Sequence, residues 1–246
     1  MSRQLFDLVA RDYDAYRPDY PAQLFDALES AMGQPLLRAD VLDVGAGTGI
    51  ATRALAGRGA NVVAVDPGPE VLAVLRSRST SRVRAVVGDG NALPLPDEMF
   101  DLVSYAQAFH WTDPDRSIPE ALRVLKPGGV LAIWWNRHDP TVRWFAEHTQ
   151  RLFQVCEKPP RADESWAAEL LRGSPWQCHV ATVEIPWSRR MSLEDYGRNL
   201  LTQSYVFALG DHAPAVVADE LEAIRADLGT DVIDEPFVTY TVLARP

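Results

Sequence analysis

The sequence predicts an α/β protein built on a doubly wound, mostly parallel sheet with helices on both faces. Three observations predict it. Apolar runs of strand length at 40–44, 61–65, 83–87, 101–106 and 129–135 alternate with helical patterns near 49–57, 69–78, 115–124 and 141–155. That alternation builds parallel strands joined by right-handed crossovers. The first run leads straight into glycine at every second position, Gly45, Gly47 and Gly49. An acid stands at or just past the end of each of the first three runs, Asp43, Asp66 and Asp89, and ligands of open α/β sheets bind at the carboxyl ends of the strands.

The first element, Val41-Leu42-Asp43-Val44, turns through its glycines into a helix. Glycine tolerates strained dihedrals there and lets a ligand approach bare backbone. The spacing is D-x-G-x-G-x-G and not the G-x-G-x-x-G of dinucleotide binding. A carboxylate at Asp43 repels phosphate and suits a ligand carrying an ammonium and a sulfonium. The second run, Asn61 to Val65, ends in Asp66 with Pro67 beside it. An acid at that point accepts hydrogen bonds from both hydroxyls of a ribose. It also suits the N-cap of the helix that begins near Pro69, a role worth about 1 kcal/mol, and the two roles can coexist. The third run, Val83 to Val87, is followed by Asp89-Gly90-Asn91. Asp89 can accept from the exocyclic amine of an adenine, with the backbone of Gly90 and Asn91 at the ring edge. An ordinary turn is the alternative.

Phe100-Asp101-Leu102-Val103 opens the fourth strand. Its following helix is expected to end at Lys126-Pro127-Gly128-Gly129, where proline and paired glycine stop a helix and start the fifth strand. Beyond Asp139 the pattern changes. Residues 141–172 look helical, interrupted by Lys158-Pro159-Pro160, and 180–187 alternate like an exposed strand. Helical stretches at 193–208 and 213–228 precede a terminal strand at 237–244.

The nonamer Val41 to Gly49 resembles the first motif of the class I S-adenosylmethionine (SAM)-dependent methyltransferases. The ordered acids are similar to the small-molecule branch of that family, as are Gly88-Asp89 with Leu93-Pro94 and Phe100-Asp101 with Val103. The likeness is strong over residues 5–138. It implies a Rossmann-like sheet of seven strands with an antiparallel last strand and a partly helical cap. The implied layout is a single domain over 1–246: N-terminal lid helices at 1–35, a SAM-binding core at 36–140, a cap with one strand at 141–235 and a terminal strand at 236–246. The cap is expected over the carboxyl ends of the strands.

The resemblance implies SAM as cofactor, S-adenosylhomocysteine as product and a small-molecule acceptor. Asp43, Gly45, Gly47, Gly49, Asp66, Pro67, Asp89, Gly90 and Asn91 form the expected cofactor site, with Gln107 at its methionine end. Related enzymes carry a Tyr-x-x-x-Arg-Pro stretch that folds over the cofactor. Here it is Tyr13 to Pro18, so Arg17 pairs with the methionine carboxylate and Tyr13 or Tyr16 closes the pocket. The alternative is a solvated Arg17 beside an aromatic staple. Ala106-Gln107-Ala108-Phe109-His110-Trp111 resembles the trans-aconitate methyltransferase subgroup, which suggests an acidic metabolite. His110 is the catalytic candidate, to orient or deprotonate the acceptor; the alternative is a packed loop histidine capped by Trp111. Trp134, Trp135, Asn136, Arg137 and His138 are further candidates for the acceptor wall. Trp187, Arg189, Arg190 and Tyr205 of the cap hint at a planar or anionic acceptor.

Net charge −10 with no basic run lacks the footprint of a nucleic-acid binder. Cys156 and Cys178 have neither metal-ligand spacing nor the number of a disulfide framework, so no metal and a reduced, cytoplasmic protein are expected. No stretch has the composition of a signal peptide or a membrane span. Oligomeric state is not readable. Two other functions compete: a SAM-binding protein without turnover, and a nicotinamide oxidoreductase, which the glycine spacing and Asp43 disfavour.

Overall fold

Val41 to Val44 and Leu102 to Tyr105 are buried throughout, and their apolar side chains alternate between two cores on opposite faces of the sheet: Leu42, Val44, Val103 and Tyr105 enter one, Val41 and Leu102 the other. The computed structural model describes residues 17–157, 165–173, 175–176 and 178–246. Residues 1–16 of the expected lid, with Tyr13 and Tyr16, and Lys158-Pro159-Pro160 lie outside the described residues. Seven strands form one mixed sheet: β1 (Asp40–Val44), β2 (Asn61–Asp66), β3 (Val83–Val87), β4 (Phe100–Ala106), β5 (Leu125–His138), β6 (His179–Ser192) and β7 (Val232–Arg245). Their order is β3-β2-β1-β4-β5-β7-β6, mostly parallel with one antiparallel end. The register aligns Asp43 with Ala64 of β2 and with Ser104 of β4, and Asp66 with Val87 of β3. The carboxyl ends of β1 to β4 therefore share one edge, and the strand order reverses between β1 and β4.

Clustering of the chain gives two compact units, one from residues 19–136, 163–185 and 239–246, the other from 1–18, 137–162 and 186–238. In the first, the sheet unit, helices α1 (Ala22–Met32) and α2 (Ile50–Gly57) cover one face. Leu24, Leu28 and Leu55 pack there on Val41, Val62, Leu102 and Trp134. On the other face α4 (Pro114–Val124) and α6 (Trp166–Gly173) bury Ile118, Ala121 and Leu171 against Val44, Tyr105, Ile133 and Trp135. Helix α3 (Pro69–Arg78) joins β2 to β3 and buries Leu72 and Leu75 near Ala64.

The second, helical unit gathers α5 (Arg143–Val155), α7 (Leu193–Leu201), α8 (Ser204–Phe207) and α9 (Ala213–Leu228). Its core is Phe145, Leu152, Tyr196, Leu200, Val206, Val217 and Ile224. The helical pattern expected at 193–208 is broken after Leu201, and Ser192 caps α7 by accepting the Asp195 N–H.

Three boundaries depart from expectation. Lys126-Pro127-Gly128-Gly129 does not end α4, which stops at Val124; it lies inside β5. Phe100 pairs with Leu125 and Leu102 with Val130, so β5 carries three residues more than β4 across that gap. The surplus bulges outward, Gly128 takes φ +80°, and Lys126 Nζ is placed 2.9 Å from Asp40 and 3.1 Å from Asp101. β7 begins five residues earlier than the apolar run, at Val232, and β6 continues to Ser192. Charge hid both extensions. Glu235 is fully buried, held by Arg189 Nε at 2.6 Å and His138 Nε2 at 3.3 Å.

Candidate functional site

β1 ends in a turn whose own backbone is already committed. Gly45 and Ala46 N–H both donate to Val65 O, at 2.8 and 3.1 Å, and Gly49 N–H donates to Ala46 O at 2.9 Å. Gly47 N–H donates to Asp66 Oδ2 at 2.9 Å, and Gly68 N–H to Asp66 Oδ1 at 2.8 Å. Asp66 thus ties the loop to the end of β2. Each of its oxygens retains a further lone pair for a diol. The expected helix cap is corrected: the N-cap of α3 is Gly68, and no side chain caps it.

Gly45, Gly47 and Gly49 all take positive φ, at +70°, +53° and +89°. A β-carbon at Gly45 would fall 2.5 Å from that of Ala108, and one at Gly49 2.7 Å from Leu75 Cγ; at Gly47 nothing lies within 4 Å. Two of the glycines are therefore needed for packing. The third fronts open space.

Asp43 is fully buried. Its Oδ2 accepts from Thr52 Oγ1 at 2.6 Å and its Oδ1 from Ser104 Oγ at 3.0 Å. Burial pushes its carboxyl up to about 6, although both hydroxyls pull the other way. No surface of the carboxylate is accessible for direct contact with a ligand. Sequence reasoning missed Thr52 and Ser104. Ser104 left a signal, a lone hydroxyl inside the apolar run of β4. Arg53 was missed as well; its Nη1 holds Thr48 O at 2.6 Å and braces the turn.

Asp89 is exposed; one oxygen accepts the Asn91 N–H at 2.9 Å, and the other has no donor among the described residues. Gly90 is buried against Val44, and a β-carbon there would sit 2.8 Å from Val44 Cγ1. Asn91 Oδ1 accepts the Asp113 N–H at 2.8 Å and so joins the Asp89 turn to the cap of α4. Pro67 is exposed between Asp66 and Gly68. Arg17 is half-buried and belongs to the other unit.

Past β4, Gln107 holds a left-handed φ of +58°, its N–H donating to Trp134 O at 2.9 Å. The short 3₁₀ turn Phe109–Trp111 follows, with Phe109 buried and His110 and Trp111 exposed. Trp111 is 82% exposed, so it does not bury His110; their ring centroids are 5.0 Å apart. His110 Nδ1 instead accepts the indole N–H of buried Trp135 at 3.3 Å. Trp134, Trp135 and Asn136 are buried. Asn136 works as a clamp, donating to Asp19 O at 3.0 Å and accepting from Thr239 Oγ1 at 2.7 Å. Within the helical unit Trp187 stacks on Phe237 at 4.8 Å, and Arg189 is spent on Glu235.

A cofactor held here must meet carboxylates and a bare glycine, with loop amides 45, 46, 47 and 49 already donating inside the protein. That arrangement rejects a pyrophosphate, which needs those amides. It accepts a ribose diol at Asp66, an amine at Asp89 and a cation near Asp43. The residues present fit SAM. Among the described residues no group of three or more His, Cys, Asp or Glu is placed to hold a metal ion, and no helix is long and apolar enough to cross a membrane.

Residues 42–133 match the family model described as "Methyltransferase domain". An uncharacterised methyltransferase of Schizosaccharomyces pombe is 38% identical over 244 residues, covering 97% of this chain and 96% of that protein. One of Mycobacterium bovis is 47% identical over 135 residues, 55% of this chain, and the match spans about half of that relative's length, 53%. A solved structure from Anaeromyxobacter dehalogenans, described as a candidate type II methyltransferase, is 28% identical with a TM-score of 0.69. It covers 93% of this chain and 95% of that one.

Proposed function

Because the chain belongs to the methyltransferase-domain family, we propose that it binds SAM at the β1–β2–β3 edge and transfers its methyl group to a small-molecule acceptor. The observation that carries the reading is the internally satisfied glycine loop. Its amides are spent on Val65, Ala46 and Asp66, so the ligand is recognised by carboxylates and not by an anion cradle. The nicotinamide alternative loses its support on the same ground.

Asp66 takes the ribose hydroxyls, Asp89 the adenine amine with Gly90 and Asn91 along the ring, and Gly47 lets the ligand lie against backbone. Asp43 supplies negative potential through the loop, held in place by Thr52 and Ser104. Pro67 and Gln107 complete the set within the sheet unit. Bound SAM supplies an activated methyl on a sulfonium. The protein then has to align the acceptor and keep the site dry, effects worth up to about 7–11 kcal/mol. His110, exposed on the turn after β4, is the residue we assign to the acceptor: it removes a proton where the acceptor carries one and positions a carboxylate where it does not. The likeness at Ala106–Trp111 favours an acidic acceptor. A SAM-binding protein without turnover stays in competition, and the exposed His110-Trp111 turn weighs against it.

Calorimetry with SAM and S-adenosylhomocysteine tests the site, and transfer of labelled methyl to a metabolite panel tests turnover. In Asp66→Ala both ligands are expected to bind at least tenfold more weakly, since hydrogen bonds to a charged acceptor are worth about 1.5–3 kcal/mol each. Unchanged affinity in a folded variant overturns the assignment of Asp66, and absence of SAM binding by the parent chain overturns the function.

A further inference from the structure

The loop that carries Asp89 is tied to α4 by a side chain outside the proposed site. Residues 88–99 join β3 to β4 with no helix and only an isolated bridge of Asp89 with Ala92. A guanidinium has five N–H donors, and Arg123, in the last turn of α4, spends all of them here. Nε and Nη2 grip the Glu120 carboxylate as a fork, each at 2.8 Å. Nη2 also donates to Leu93 O at 3.2 Å, and Nη1 to Leu95 O at 2.9 Å and to Asp97 Oδ1 at 2.6 Å. Glu120 Oε2 in turn accepts the Leu93 N–H at 2.7 Å, and Arg123 O accepts the Glu98 N–H at 3.0 Å.

These ties differ in weight. Asp97 is 71% exposed, so that ion pair adds little. The fork and the two carbonyls matter more, because Leu93 and Leu95 are buried with Ile118 and Ala121 of α4 and their main-chain groups need partners there. Bonding to Arg123 also holds the Glu120 carboxyl below its ordinary range, which keeps the fork charged. A lysine could not replace it, since an ammonium donates from a single point. At the other end of the helix the Asp113 N–H holds Asn91 Oδ1. Between the two ties an open cleft lined by Asn91, Ala92, Asp115 and Pro119 parts the loop from α4. The loop is thus set by α4 at both ends of the helix. A recognition loop ordered in advance leaves less freedom to lose when its ligand binds.

We infer that Arg123 is a positioning residue for adenine recognition: by locking Leu93, Leu95 and Glu120 together it presets the loop that aims Asp89 at the exocyclic amine. The inference rests on the proposed SAM site. A brace for stability alone would affect every ligand of that site equally, whereas one that aims Asp89 affects only ligands that carry the amine. Calorimetry therefore compares S-adenosylhomocysteine with its 6-deamino analogue, which has hydrogen in place of the amine. The parent chain is expected to bind the first about tenfold more tightly, the worth of one hydrogen bond to a carboxylate. Arg123→Met should bring the two affinities within about twofold of each other, by weakening S-adenosylhomocysteine and sparing the analogue. Arg123→Lys, which keeps the charge without the fork, should lose most of the preference as well. Thermal midpoints check folding; if Arg123→Met does not fold, Arg123→Lys decides by the same ratio. The inference is overturned if a folded variant keeps the parent's preference, if both ligands weaken together, or if the parent has no preference to lose. A parent chain that binds neither ligand is a different result, and overturns the SAM site itself.

Discussion

Gly47→Ala separates a ligand-facing glycine from a structural one. Gly47 has φ +53°, and a β-carbon there meets nothing within 4 Å. The folded chain therefore bears only the left-handed backbone cost of an L residue, roughly 1–2 kcal/mol. For a chain of this size that lowers the thermal midpoint by about 2–8 °C. Its N–H still reaches Asp66. If SAM lies against this backbone, the added methyl enters space the ligand needs, and affinity should drop at least tenfold, or about 1.4 kcal/mol; Gly47→Val should abolish binding. Gly33→Ala is the control. Its φ is +69°, also with nothing within 4 Å, at the C-cap of α1, so it carries the same backbone cost far from the loop in sequence. Calorimetry gives the dissociation constants, and circular dichroism gives the midpoints. Parent-like SAM affinity in folded Gly47→Ala refutes the reasoning. An equal loss in Gly33→Ala refutes it too, because strain alone would then account for the effect.

Asp43 gives a pH signature. Its folded carboxyl is raised from 3.8 to about 6, so between those values the native state holds a proton that the unfolded state releases. Stability must then fall as pH rises through this window, by at most roughly 3 kcal/mol. Denaturant titrations from pH 4 to 7 should show that decline in the parent and not in Asp43→Asn; a constant gap between the two contradicts it. His110→Ala should leave SAM affinity within a few-fold and cut turnover by ~10²-fold or more. A base also gives the parent a pH limb near the histidine value of roughly 6.5, absent in the variant; intact activity and profile make His110 a structural loop residue.

The parallel core was legible because strand-length apolar runs and punctuating glycines are local signals, and β1 to β4 fall within a residue of the runs that marked them. The carboxylates were legible for the same reason: Asp66 and Asp89 stand where chain geometry puts strand ends. What the sequence concealed was long-range pairing. Glu235 reads as a loop residue until Arg189 and His138 are placed around it, so the start of β7 was lost. Lys126-Pro127-Gly128-Gly129 reads as a stop signal, yet Asp40 and Asp101, distant in sequence, turn it into a bulge within β5. Thr52 and Ser104 are ordinary hydroxyls until the register sets them on Asp43.

The division of the chain has a consequence for its synthesis. The backbone passes between the two units five times, among them at Asn136/Arg137, Ile185/Pro186 and Val238/Thr239, and β7 takes its place between β5 and β6. The sheet unit's last segment to leave the ribosome, 239–246, therefore fills an interior slot. Translation of 137–238 takes on the order of 5–20 s. Throughout it, β5 presents an unpaired edge, and β6 is made before the strand that will hold it. A nascent chain in that state exposes strand edges that can pair with a passing strand, a hazard that ends only when β7 enters its slot.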